Sequence, residues 1–162
     1  MGTPKLYSWV HENPAINLYP EDYTNDPFVV AQNYRMTAIN SALECDVLGQ
    51  VAADTLGPMQ FSGVGGQVDF VRGAARSVEG KSIIAFPSTA RKGQTSRIVS
   101  VLTRGSAVTT TRHDVDYIVT EYGIASMKAK TVKQRMESLI NIAHPDFRTE
   151  IRNDAYRTYY SF

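Results

Sequence analysis

Apolar residues recur along this chain with two periods, and the changes between them mark out the elements. Leu6, Trp9 and Val10 share one face of a helix that Thr3 caps and Pro4 opens. Asn13-Pro14 stops it, 15–19 reads as extended, and 20–25 is a polar, turn-rich link. Asp26-Pro27 repeats the cap-and-proline pair and opens a short helix through Val30 and Asn33. Residues 36–39 and 42–48 read as strands, and Gly49-Gln50 turns the second of them back on 51–53 as a hairpin. Gly57-Pro58 opens a loop.

Residues 68–76 predict a helix with Val68, Val71 and Ala75 inward, and Gly80-Lys81 ends the crossover. Ser82-Ile83-Ile84-Ala85-Phe86 is a continuous apolar run, which predicts a strand buried on both faces. A polar, basic loop, 87–94, lies at its C-terminal end. Residues 97–101, 107–111 and 116–120 read as further strands, the last followed by Glu121-Tyr122-Gly123. Thr131 caps an amphipathic helix with Val132, Met136, Leu139, Ile140 and Ala143 at helical spacing. Pro145 interrupts, and 146–156 form a final helix. Alternating strands and helices predict an α/β fold, with a mainly parallel sheet and helices on both faces, as one domain over 1–162.

Composition narrows the partners. Seventeen basic against sixteen acidic residues leave a net charge of +1, which gives no support to a nucleic-acid or anionic-membrane partner. The single cysteine, Cys45, excludes an internal disulfide framework and suits a reducing, cytoplasmic compartment. No apolar run reaches the ~18 residues that a membrane span needs, and the first residues lack the basic and apolar regions of a signal peptide.

The stretch richest in chemical meaning is Ser62-Gly63-Val64-Gly65-Gly66-Gln67-Val68-Asp69, where glycines precede a helix. Glycine lets another molecule approach the backbone, and the free amides of a helix start favour a phosphate or a developing oxyanion. A tight turn without a ligand gives the same pattern. The cluster is not a dinucleotide fingerprint, because the third glycine of that motif would fall on Val68. Nor is it a P-loop, because no Gly-Lys-Ser/Thr follows. His11, His113 and His144 are scattered and make no metal-ligand spacing, so no metal is expected. Glu44 with Asp46, and Asp114 with Asp116, alternate on predicted strands and share a face, while Glu121 follows a strand. Each could serve as nucleophile or base, and each equally as a partner for a cation. Asp69 in the first helical turn reads as a cap, and Lys92 as a phosphate contact or a solvated lysine.

Several long motifs occur in one order: 42–51 (ALECDVLGQV), 62–74 (SGVGGQVDFVRGA), 87–90 (PSTA), 109–123 (TTTRHDVDYIVTEYG) and 142–148 (IAHPDFR). Together they resemble the C-terminal domain of the acetyl-CoA hydrolase/transferase family over nearly the whole chain. The resemblance implies a CoA-transferase-like α/β fold. It also implies movement of CoA between a short acyl-CoA and a carboxylic acid of the acetate, butyrate or 4-hydroxybutyrate type, through a glutamyl-CoA thioester. Matching positions imply that Gly63, Gly65 and Gly66 line CoA, with Gly65 and Gly66 also at the oxyanion. They imply that Ala42 and Leu43 lie along CoA or the acyl chain, and that Lys92 meets CoA. The family's nucleophilic glutamate lies upstream of the part matching 1–7, so none of this chain's carboxylates takes that role. The implied partners are an N-terminal domain that this chain lacks and a second copy in a homodimer, and the chain alone is expected to be inactive. An acyl-CoA hydrolase, or a non-catalytic binding or assembly module derived from the same domain, are the alternatives.

Overall fold

The computed structural model of the chain describes residues 2–160. Helix α1 (Pro4–Val10) starts where Thr3 accepts from the Leu6 amide and Pro4 supplies a pre-set φ. Its apolar side chains are not buried: Leu6, Tyr7 and Trp9 are exposed. After a single turn, α2 (Glu21–Thr24), helix α3 (Pro27–Ala31) begins with Asp26 accepting from the Phe28 amide. Strand β1 (Thr37–Asn40) follows, then β2 (Glu44–Asp46) and β3 (Val51–Ala52), paired antiparallel across the Gly49 turn. A small hairpin, β4 (Thr55–Leu56) with β5 (Met59–Gln60), occupies the segment that the sequence reads as loop.

Helix α4 (Gln67–Arg76) leads into β6 (Lys81–Ala85), and a second hairpin, β7 (Thr89–Ala90) with β8 (Thr95–Ser96), precedes β9 (Ile98–Val99). Strands β10 (Tyr117–Thr120) and β11 (Gly123–Ser126) form a tight hairpin before α5 (Val132–Ile142) and α6 (Pro145–Tyr160). The main sheet runs β1-β6-β10-β11, parallel except for β11, and a smaller sheet runs β3-β2-β9 with β2 parallel to β9.

The α/β class and the mainly parallel sheet are those that the sequence predicts. How the sheet is covered is more specific. In register, Ala38, Ser82, Ile84, Ile118 and Ala125 share one face, and all are buried. That face packs in one core with Val71 of α4, with Met136, Leu139 and Ile140 of α5, and with Ile151 and Ala155 of α6. The small sheet adds Cys45, Val47, Val51 and Ile98 to the same core. The opposite face carries Ile39, Ile83, Val119, Tyr117 and Ile124, and no described helix covers it; Ile39 and Ile124 are 68% and 69% exposed.

Strand β6 is therefore buried on one face, not two. The reason is its winding. The steps β1→β6 and β6→β10 move across the sheet in the same direction, and right-handed crossovers then fall on the same side.

Three further expectations change. Ala75 is exposed, and the inward residues of α4 are Val71 and Ala74, with Gly73 against Val30 of α3. Residues 107–111 form no strand, only one bridge between Val51 and Thr110. Asp69 makes no capping bond, because the helix is capped at Gly66 without a side chain.

The first turn of α5 carries a full capping box. Thr131 accepts from the Gln134 amide while Gln134 accepts from the Thr131 amide, a reciprocal box. Thr131→Ala should lower unfolding free energy by about 1 kcal/mol, read as a shifted denaturation midpoint with an unchanged slope.

Candidate functional site

In an open parallel sheet, ligands bind beyond the C-terminal ends of the strands. Four segments meet that rim here. Ala42 and Leu43 follow β1, Pro87 and Ser88 follow β6, and Glu121 follows β10. Helix α4 packs against β1 and β6 and runs back along them in a crossover, which brings its N-terminus, with Gly65 and Gly66, to the same rim.

The glycine loop is delivered by the β4–β5 hairpin. Asp54, at the hairpin's base, accepts from the Phe61 amide through its carbonyl, and its carboxylate is bonded by Thr109 and by Gln60 Nε2. Gln60 also donates to the Ser62 carbonyl. Beyond that anchor the loop is bare: Gly63 and Gly65 have nothing within 4 Å of where a Cβ would stand. Gly65 has φ +59°, a left-handed conformation that disfavours any residue with a Cβ. Gly66 is different, because a Cβ there would come 2.5 Å from Nδ2 of Asn25. Gln67 ties the loop's far side to Thr110 Oγ1 at 3.0 Å. The result is a helix start with no side-chain cap, with Asn25 beside Gly66 and open space at the preceding Gly63 and Gly65.

Ala42 is buried, and its carbonyl accepts from Arg97 Nη1 at 3.2 Å. Leu43, half-buried, donates its amide to Ala52, two residues before the base of the glycine hairpin. Arg97 in turn donates its amide to Ser88 and accepts from Cys45, joining the β7–β8 hairpin to the same small sheet. Lys92 stands exposed at the tip of that hairpin, with φ +58°. The structure thus sets Ala42, Leu43, the glycine loop and the root of the Lys92 hairpin around one small sheet at one rim.

The carboxylates are accounted for differently. Glu44 is buried and accepts from the Thr103 amide at 2.7 Å and its hydroxyl at 2.8 Å. Asp46 accepts from the Leu48 and Gln50 amides and from Gln50 Nε2; burial nonetheless pushes its pKa up. Asp114 is held by Arg72 at 3.0 Å and Asp116 by Lys128 at 3.0 Å. Each does structural work, and their alternation on predicted strands marks no catalytic pair. No group of three or more metal-ligating side chains occurs among the described residues.

Glu121 is the one of these at the rim. Its carboxylate receives the Ser88 amide at 2.8 Å and the Ser88 hydroxyl at 2.7 Å, which joins the ends of β6 and β10. Partial burial works to raise its pKa, but the two Ser88 bonds, together with its own amide and the charge of His144, bring the value below the ordinary one. A cleft of about 440 Å³ lined by Phe86, Pro87, Val119 and Thr120 opens beside it. Sequence reasoning missed Ser88 as the partner of Glu121 and Asn25 as the neighbour of Gly66. Neither pairing has a local signal, since the partners lie 33 and 41 positions apart.

With the geometry in place, comparison with known proteins is informative. The pattern of the acetyl-CoA hydrolase/transferase C-terminal domain matches residues 2–155. The 4-hydroxybutyrate coenzyme A transferase of Clostridium kluyveri is 54% identical over 95% of this chain and 36% of its own length. The butyryl-CoA:acetate CoA-transferase of Anaerostipes caccae is 48% identical over 95% of this chain and 35% of its own length. The crystal structure of RipA from Yersinia pestis superposes with a TM-score of 0.91 at 43% identity, covering 98% of this chain and 36% of that one. The chain therefore spans about 36% of the length of such relatives.

A titration checks the rim contact. Glu121 stabilises the fold fully above its unfolded pKa, and that contribution is lost as pH falls through its lowered folded pKa. Ser88→Ala removes the hydroxyl bond and leaves the amide. Carboxyl-carbon NMR should show the Glu121 pKa moving up toward the ordinary glutamate value, with the other carboxylates unmoved.

Proposed function

The chain belongs to the acetyl-CoA hydrolase/transferase family as its C-terminal domain, and from that premise we propose that it is the CoA-binding portion of a CoA-transferase. The reaction moves CoA between a short-chain acyl-CoA and a carboxylic acid of the acetate, butyrate or 4-hydroxybutyrate type. A glutamate from the remainder of the enzyme attacks the thioester carbonyl; CoA thiolate leaves and an acyl–glutamyl anhydride forms. The thiolate then attacks the glutamyl carbonyl, releasing the first acid and leaving a glutamyl-CoA thioester. The second acid reverses the sequence. Each attack puts negative charge on a carbonyl oxygen, and fixed amide donors at that oxygen lower the barrier.

One observation carries this reading: the uncapped start of α4, preceded by a left-handed Gly65 with open space around it, at the rim where the family's motifs fall. Two others support it. The carboxylates Glu44, Asp46, Asp114, Asp116 and Glu121 are all engaged by neighbours, which fits a nucleophile supplied from elsewhere. The bare face of the sheet and the Glu121 cleft share Val119, so an apolar surface runs up to the rim. Parallel sheets are ordinarily covered on both faces. On this reading the rest of the enzyme covers that face and brings its glutamate to the glycine loop, shutting water out. Gly65 and Gly66 then serve the oxyanion, Gly63, Ala42 and Leu43 line CoA, and Lys92 reaches it. A cytoplasmic location and a homodimer complete the reading.

Three substitutions in the full-length enzyme test the loop. Gly65→Val should abolish CoA transfer and cost ~1–2 kcal/mol of stability, the left-handed penalty. Gly65→Asn, which tolerates positive φ, should abolish transfer with the melting temperature nearly intact. Lys92→Ala should raise KM in a salt-sensitive way with kcat retained, because a phosphate contact holds substrate and transition state alike. Wild-type kinetics in all three would reduce the loop to a turn.

The bare face makes a separate prediction for the 162-residue chain. Light scattering should show concentration-dependent association, and Ile39→Glu with Ile124→Glu should abolish it without loss of secondary structure. A monomeric wild-type chain at high concentration would remove the face from the account.

A further inference from the structure

The 109–116 segment holds residues that the glycine rim does not use. Thr111 Oγ1 accepts from the His113 amide and donates to Asp114, and Asp114 is fixed by Arg72. That pins Arg112 and His113 on the wall of a cavity of about 230 Å³, whose other walls are Leu48, Lys130, Val132 and Arg135. Four cationic or ionisable nitrogen-bearing side chains converge there, and no carboxylate lines it.

None of the four is in an ion pair among the described residues, and Asp114, the carboxylate whose charge reaches His113, is already held by Arg72. The ion pairs among the described residues involve Arg35, Arg72, Lys128, His144 and Arg152, and none involves Arg112, His113, Lys130 or Arg135. Arg135 is half-buried and spends one nitrogen, Nη1, on the carbonyls of Arg112 at 2.7 Å and Leu48 at 3.4 Å. A guanidinium carries five N–H donors, so most of its fork stays available. Burial first, and then the charge of Arg112, depress the Arg135 pKa. The Gly49 turn makes the room: a Cβ there would stand 3.0 Å from Met127 Cε and 3.5 Å from Arg135 Nη1. The cavity also lies at the start of α5, where the helix dipole adds to the same sign of field.

Two close guanidiniums repel each other, and here the main-chain carbonyls of Arg112 and Leu48 hold that of Arg135 in place. From this juxtaposition of Arg112, Arg135, Lys130 and His113 around a small cavity, we propose a second anion site whose ligand is a phosphate monoester. Guanidinium forks suit phosphate oxygens, and the cavity takes one phosphate group with its first substituent rather than a whole nucleotide. Helix α5 ends against β10's C-terminal residue, where the Ile142 carbonyl accepts from Thr120. Its start is therefore some ~16 Å away, one 11-residue helix length from that rim. The site is thus distinct from the glycine loop. The phosphate either belongs to a separate small molecule or is the terminal phosphate of a bound CoA; the second source rests on the CoA reading.

Thermal-shift and isothermal titrations of the chain decide this. Inorganic phosphate at low ionic strength should raise the melting temperature, and added chloride should reduce the effect. Arg112→Gln with Lys130→Gln, whose side chains make no bonds in the structure, should weaken phosphate binding at least tenfold and leave the unliganded melting temperature unchanged. CoA and dephospho-CoA, which lacks the 3′-phosphate, separate the sources. If the double variant weakens CoA and not dephospho-CoA, the phosphate is that of CoA. If it weakens inorganic phosphate and neither coenzyme, the ligand is a separate monoester. A phosphate response no larger than that of chloride at matched ionic strength, or a double variant that responds as the wild type does, overturns the proposal. Both readouts are independent of CoA transfer, so failure of the transferase reading leaves this test intact.

Discussion

Strand β6 sits between β1 and β10, parallel to both, and this arrangement governs most of the molecule. Parallel neighbours cannot be joined by a short turn, so each step needs a crossover, and chirality puts crossovers made in one direction on one side. Ser82 and Ile84 are buried on the side where the crossover helix α4 lies, with α5 packed on that same side after the β10–β11 hairpin, and Ile83 is left half-exposed on the other side. A chain that winds one way covers one face. Covering the second face requires polypeptide that winds from the free edge of β1 in the opposite direction.

The buried acids illustrate a second constraint. A carboxylate removed from water must be bonded, and in this fold loop amides do much of that bonding. Glu44 holds Thr103 and Asp46 holds the 48–50 turn, each from the small sheet β3-β2-β9. Loops around the small sheet are thereby anchored to buried charge, while the glycine segment, tied at its ends through Asp54, Gln60 and Gln67, is left open at Gly63 and Gly65. Rigidity on both sides of a bare stretch of backbone is what a site for a reacting carbonyl needs.

Local chemistry was legible in the sequence and long-range pairing was not. Thr3-Pro4, Asp26-Pro27 and Thr131 with Gln134 each announced a helix start within four residues, and each start is where the pattern put it. The glycine loop before α4 and the exposed basic turn at Lys92 were also visible. The strand expected at 107–111 failed because its threonines bond elsewhere: Thr109 reaches Asp54 and the Ala53 amide, and Thr110 reaches Gln67. β-Propensity measures fit to a pleated neighbour, and among the described residues this segment is bridged at Val51 alone. The apolar run 82–86 carried no sign of which face would be covered, because that depends on the order of β1, β6 and β10. The motif resemblance supplied what no pattern did, namely a reaction to attach to the glycines.

Helices α4 and α5 show how winding divides roles between chemically similar ends. Helix α4 follows β1 and so begins at the C-terminal rim; α5 follows the antiparallel β11 and so begins at the opposite edge. Each has orphan amides at its start. At α5 the chain satisfies them itself through Thr131 and Gln134, which leaves the surrounding cations, rather than the amides, as the feature of that edge. At α4 the cap is a glycine with no side chain, next to another glycine in a left-handed conformation. A fold under selection for stability alone would place serine or aspartate at such a position and gain about a kilocalorie per mole. On the transferase reading, the amides of α4 are left for a carbonyl that arrives from outside at that end of the sheet.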